Sequence, residues 1–229
     1  MFVEGLRDLP KLRSLSILWG ACGSFDSELD LSGIERLLIR SEDTIEPQFL
    51  SRCSSLETVS LNGSGVADLT PLSEMTRLTE LWLHKDTMAV ELPKLTKLGA
   101  LQRVLIHSDQ MQDVSAHSEV DSLLNVDLTG RRIRELGGEW RSRNLNFAVL
   151  RDNSISDLKA LSSSDGLWYL DVSRTLVEDL RPLTSLPKLA RLTLDESRVS
   201  SLEPLADCMA LNELRFAGTD ISDLTPLSN

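Results

Sequence analysis

Apolar residues recur along the chain as Leu-x-x-Leu-x-Leu, with Ile, Val, Ala or Phe standing in for leucine at some places. The pattern starts at Leu12, Ile34, Leu56, Leu78, Leu101, Leu123, Leu145, Leu167, Leu189 and Leu211. Every step is 22 residues except the one from Leu78 to Leu101, which is 23. A period held this closely over ten copies is a structural repeat. Two well-formed copies show the rest of the unit. Leu56–Arg77 continues with Val59, Leu61, Val66, Leu69, Leu72 and Met75, and Leu189–Ala210 with Leu192, Leu194, Val199, Leu202, Leu205 and Cys208 at the same offsets. The Leu-x-Leu alternation predicts a short strand with one buried face. The later spacing of three predicts a tight 3₁₀ turn, and Pro71, Pro182, Pro204 and Pro226 recur at one place inside it. One unit cannot bury its apolar face alone; stacked neighbours make a continuous core.

Stretches such as Leu167-Trp-Tyr-Leu-Asp-Val172, followed by Val177 and Leu180-Arg-Pro-Leu183, resemble the leucine-rich-repeat family in its short 22-residue class, as in bacterial internalin-like proteins. The resemblance covers nearly the whole chain. It implies an α/β class fold: a right-handed, curved solenoid with a parallel β-sheet on the concave face and short 3₁₀ or irregular turns on the convex face. It says little about function, since one fold hosts many. One departure concerns the ninth place of each repeat, usually Asn in the family. Here only Asn153 holds it, with Ser64, Thr175, Ser197 and Thr219 elsewhere. A hydroxyl makes fewer of the bonds an amide makes, which predicts a looser ladder.

Residues 1–229 therefore read as one solenoid domain of about ten repeats. Residues 1–11 read as the tail of a further repeat, and the C-terminus as stopping within one. Ends of this kind leave open that the chain is an excerpt, or that copies associate end to end. Repeats starting at Ile34, Leu78, Leu101 and Leu123 lack the Pro-Leu pattern. Irregular convex segments are expected there.

Composition sharpens the picture. Leucine makes up roughly a fifth of the chain and aromatics only 4%, while 35 acids against 24 bases give a charge of −11. An acidic pI of 4.8 speaks against nucleic acid and anionic membranes as general partners. No signal peptide or membrane span is visible. With three cysteines that all fall on core places (Cys22, Cys53 and Cys208), no disulfide framework is expected and a cytoplasmic location is. A secreted or surface-attached location follows instead if the chain is an excerpt, because internalin-like relatives are often exported. An acid recurs at the thirteenth place: Asp68, Asp113, Glu135, Asp157, Asp179 and Asp223. It is expected to cap the helical turn through backbone N–H groups rather than form a calcium ladder. Arg131, Arg132, Arg134, Arg141 and Arg143 form a basic cluster that reads as a solvated loop or a docking point for an acidic partner.

The outward strand places should form ladders about 4.8 Å apart on the concave face. Scarce aromatics fall there: Trp82, Phe147 and Tyr169, with Trp168 beside them. Interfaces are rich in Trp, Tyr and Arg. A partner-binding surface is thus expected from Glu80, Trp82, His84, Arg103, Leu105, His107, Asp127, Phe147, Val149, Arg151, Trp168, Tyr169 and Asp171. His84 and His107 are adjacent rungs, but two histidines without a third ligand make a thin metal site. No phosphate loop, metal spacing or nucleophile arrangement stands out, and the Gly20-Ala-Cys22-Gly23 turn has no oriented partner. The expectation is a module that is not an enzyme, has no cofactor and binds another protein. An inhibitor or immunity-type protein that neutralises a basic toxin, or a recognition segment of a larger receptor or effector, are the alternatives.

Overall fold

The computed structural model describes residues 11–18, 30–41, 47–63, 68–84, 93–110, 112, 114–115, 120–130, 132–138, 140 and 143–228. Ten strands form one parallel sheet in sequence order. They are β1 (Ser14–Leu18), β2 (Arg36–Ser41), β3 (Thr58–Gly63), β4 (Glu80–Leu83), β5 (Arg103–Ile106), β6 (Asn125–Asp127), β7 (Phe147–Val149), β8 (Tyr169–Asp171), β9 (Arg191–Thr193) and β10 (Glu213–Arg215). Each pairs in register with the next, so equal places of successive repeats lie side by side: Trp82 against Leu105, Phe147 against Tyr169.

Burial follows the repeat. In β3 and β4 alternate residues are buried, and the first, fourth and sixth places of the repeat at Leu78 (Leu78, Leu81 and Leu83) are wholly covered. Burying one such leucine is worth about 1.5–3 kcal/mol, and every layer is sealed by the layers on either side. The layers at the two ends are sealed less well: Leu12, Leu15, Leu211 and Leu214 are only partly buried, and Met209 is 78% exposed.

The convex side carries 3₁₀ helices at Thr70–Glu74, Lys159–Leu161, Arg181–Leu183, Glu203–Leu205 and Thr225–Leu227, four of them with proline near the start. The repeat at Ile34 departs from expectation. It holds the longest 3₁₀ helix of the described residues, Pro47–Arg52. Its proline opens the helix instead of sitting inside it, and Phe49, Leu50 and Cys53 are buried. Proline at a helix start loses a donor that would be unpaired anyway. The repeats at Leu78, Leu101 and Leu123 show no named helix among the described residues. In the last of these Trp140 is buried in the core, its Nε1 donating to the Leu136 carbonyl at 2.9 Å.

The recurrent acid works as a turn-former. The Asp68, Asp157, Asp179 and Asp223 carboxylates accept the N–H two residues on, at 2.7–2.9 Å. The donor is the first helical residue, so the acid stands one place ahead of the cap, with a leucine between. Hydrogen bonds from Thr70, Arg181 and Thr225 hold Asp68, Asp179 and Asp223 below the usual carboxylate range. Asp113 lies outside the described residues.

The ninth-place contrast is visible in the bonds made. Asn153 donates to the Leu128, Leu150 and Arg151 carbonyls at 2.6, 2.9 and 3.2 Å and accepts the Ile133 N–H at 3.3 Å. Thr175 and Thr219 each make one hydroxyl bond, to Val172 and Phe216, and the buried Ser197 hydroxyl has no partner. Sequence reading missed the place before it: Asp152, Arg174, Glu196 and Gly218 all have positive φ, between 51° and 70°. Their backbones turn the chain out of the strand. Asp152, Arg174 and Glu196 each donate an amide to the next repeat's seventh-place carbonyl, at 2.7–3.0 Å.

Cys53 and Cys208 are buried free thiols, and Cys22 lies outside the described residues. Burial pushes the Cys53 thiol up to about 11, and burial followed by the Asp207 charge also raises Cys208.

Two outcomes follow. Asn153→Ala strips several buried backbone groups of their partner and should lower urea stability by about 3 kcal/mol, whereas Thr175→Val, losing one bond, should cost about 1 kcal/mol. In the native protein Cys53 and Cys208 should resist alkylation near neutral pH and react promptly in denaturant, as peptide mapping after iodoacetamide would show.

Candidate protein-binding surface

The sheet register gathers the aromatics that the sequence scatters over 88 positions, from Trp82 to Tyr169. Phe147 and Tyr169, at the third place of adjacent repeats, stack with ring centroids 4.5 Å apart and planes 10° from parallel. Offset stacks of this kind add about 0.5–1.5 kcal/mol beyond their burial. Trp168, 40% exposed, stands edge-on to Tyr169 at 6.0 Å and tilted to Phe147 at 6.5 Å. The Arg191 guanidinium lies 5.6 Å over the Trp168 ring, a cation–π distance.

Phe147 also forms one wall of a groove of about 320 Å³ with Trp82, Arg103, Leu105, Asn125 and Asp127. It therefore joins the aromatic stack and the groove into one surface. Trp82 is half-buried and its Nε1 is covered without an acceptor. Beyond the groove the seventh-place ladder begins. Trp82 and His84 rings lie 6.4 Å apart, and His84 meets His107 edge-on at 6.3 Å. His107 Nε2 lies 3.0 Å from Asp127. Burial would raise the Asp127 carboxyl, but the bonds from His107 and Thr129 together outweigh it and hold it low.

Of the expected contact residues, Arg103, Arg151 and Trp168 are exposed, and Glu80, Trp82, His84, Leu105, His107, Asp127, Phe147 and Tyr169 are half-buried. Val149 and Asp171 are corrected: they are only 7% and 6% exposed. They sit side by side in the middle rung, and Asp171 turns back to accept the Ser173 N–H at 2.9 Å and its hydroxyl. Asp127 repeats that device with Thr129. Glu80 is engaged too, with Arg103 at 2.9 Å. Arg132, Arg134 and Arg143 of the basic cluster are exposed, and Arg131 and Arg141 lie outside the described residues.

Sequence reading places Arg191 and Asn125 on the third-place ladder of the concave face but leaves them out of the expected contact set. Register against Tyr169 and Phe147 was the available signal for both. It also missed a polar cavity of about 480 Å³ at the strand ends, lined by His107, Asp109, Thr129, Gly130, Arg151, Asp152 and Arg174. Gly130 permits that close approach, since a Cβ there would lie 2.7 Å from the Ser108 carbonyl oxygen.

Ten in-register parallel strands joined by short 3₁₀ turns, one strand to each repeat, make a parallel solenoid. The fold is that of a leucine-rich-repeat solenoid. No family model and no curated protein matches it in sequence. Among solved structures it is similar to internalin C2 (InlC2) from Listeria monocytogenes, at 28% identity over 79% of each chain with a TM-score of 0.68. Two receptors share the fold. One is the plant peptide hormone receptor RGFR1 in complex with RGF2, at 20% identity and TM-score 0.65, over 82% of this chain and 33% of the receptor. The other is TLR13 in a complex with ssRNA13, at 17% identity and TM-score 0.70, over 94% of this chain and 34% of that one. The chain thus spans most of internalin C2 but about a third of each receptor. Expectations of a cytoplasmic location and of no nucleic-acid partner find no support in these neighbours, one of which is solved with RNA.

His84 supplies a pH test. Burial, and then the nearby His107, hold its imidazole below the ordinary 6.5. The unfolded chain therefore takes up that proton first as pH falls. The stability contributed by neutral His84 is present above about 6.5 and is lost as pH drops through the folded value. An NMR titration should give His84 a midpoint below 6.5, and His107→Ala should move it upward.

Proposed function

We propose that this chain is a non-enzymatic interaction module that binds another protein on its concave face, between β4 and β8. The observation that carries this reading is the continuous surface of Trp82, Leu105, Phe147, Tyr169 and Trp168 in a chain with only 4% aromatics. Large rigid side chains beside a groove are the usual anchors of protein interfaces. Leucine-rich-repeat neighbours include a peptide-hormone receptor complex, which is in keeping with it. A second reading, a recognition segment within a larger receptor, is favoured by the match to about a third of each receptor chain.

The test is a lysate pull-down with the wild-type chain, a Trp82→Ala/Phe147→Ala/Tyr169→Ala variant and an Arg132→Ala/Arg134→Ala/Arg143→Ala control. Each must retain the wild-type circular dichroism spectrum. A genuine partner should be held by wild type and the arginine control and lost from the aromatic variant, with affinity down at least tenfold per anchor removed. A prey retained by the aromatic variant would move the binding site off the concave face.

A further inference from the structure

The three outward ladders carry six arginines (Arg36, Arg40, Arg103, Arg151, Arg191 and Arg215) against five carboxylates (Glu80, Asp127, Asp171, Asp195 and Glu213). The concave face is thus near neutral in a chain of charge −11. The excess acid sits elsewhere, including the turn-forming aspartates behind the sheet.

Hydrogen bonding separates the two signs further. Every one of the five carboxylates is engaged internally. Glu80 holds Arg103 at 2.9 Å, and Glu213 holds Arg191 at 3.2 Å. Asp127 is taken up by His107 and Thr129, Asp171 by Ser173, and Asp195 accepts the Ala217 N–H at 2.7 Å. By contrast Arg36, Arg40, Arg151 and Arg215 are exposed and have no carboxylate partner among the described residues. Arg151 is the central one. It lies two alternations beyond Phe147 in the same repeat and lines the polar cavity at the strand ends.

We infer that the partner presents an exposed segment in which a large apolar side chain fills the groove of Trp82, Leu105 and Phe147, and a neighbouring carboxylate pairs with Arg151. This rests on the concave-face reading above and specifies its ligand chemistry. The alternative of a basic toxin captured by acidic charge does not suit this face, where each acid already has an internal partner and four arginines have no carboxylate partner among the described residues. A carboxylate arriving at Arg151 meets five donors, paired with no carboxylate among the described residues. An arriving lysine or arginine would share a carboxylate that already holds an internal partner.

The experiment pans a random linear-peptide phage library on the intact chain. Selected sequences are then synthesised and titrated against wild type, Phe147→Ala/Tyr169→Ala and Arg151→Glu, each checked by circular dichroism. The expected result is enrichment of an aromatic or long aliphatic residue next to Asp or Glu. Binding should be lost in the double variant and weakened about tenfold or more in Arg151→Glu, which is about 1.4 kcal/mol. Changing the peptide's acid to lysine should restore affinity for Arg151→Glu. Peptides that need Phe147 and Tyr169 but are basic would overturn the acidic ligand and leave the concave reading standing. Peptides indifferent to the double variant would overturn both. Failure to enrich any sequence would overturn the assignment of a linear segment as the ligand.

Discussion

A single repeat of this chain cannot cover its own leucines, and every other feature of the structure answers to that constraint. Leu78, Leu81 and Leu83 are sealed only because equivalent layers lie on both sides, so each 22-residue unit is a folded object only in company. Strand register must then be kept from repeat to repeat. It is kept even across the 23-residue step, where Trp82 still pairs with Leu105, so the extra residue is absorbed away from the strands. Convex segments carry no such demand. They vary between a six-residue 3₁₀ helix, a three-residue one and, in the repeat at Leu123, a buried Trp140 with no named helix among the described residues.

The same register makes the concave face a set of ladders, and ladders bring rare residues together. Phe147 and Tyr169 are 22 residues apart in sequence and 4.5 Å apart in space. Phe147 in turn faces the groove with Trp82. Rungs that carry acid mostly serve the scaffold: Asp127 and Asp171 tie the strand end to Thr129 and Ser173. What the face presents is therefore aromatic surface, groove and guanidinium.

The period made the strands, the core, the proline-bearing turns and the role of the thirteenth-place acid legible, because each depends on residue type at a fixed offset. Features set by what a neighbouring repeat does were not legible. Val149 and Asp171 occupy outward places yet are covered, since exposure depends on the side chains in adjacent rungs. Asp152, Arg174 and Glu196 take a left-handed conformation that glycine usually holds, as at Gly218. Their bonds to the next repeat offset the strain, and no single residue signals it. The helix of the Ile34 repeat was hidden because its proline sits at a different place from Pro71 and its equivalents. Likewise the aromatic positions were readable, while the engagement of every concave carboxylate was not.

Hydrogen exchange, followed by mass spectrometry on the free chain and on its complex with a captured partner, tests the central claim most directly. A concave-face binder predicts added protection concentrated in β4 to β8 and the residues just after each strand, with the convex turns at Arg181–Leu183 and Glu203–Leu205 unchanged. Protection confined to those turns, or to the layers at the ends of the solenoid, would contradict the account.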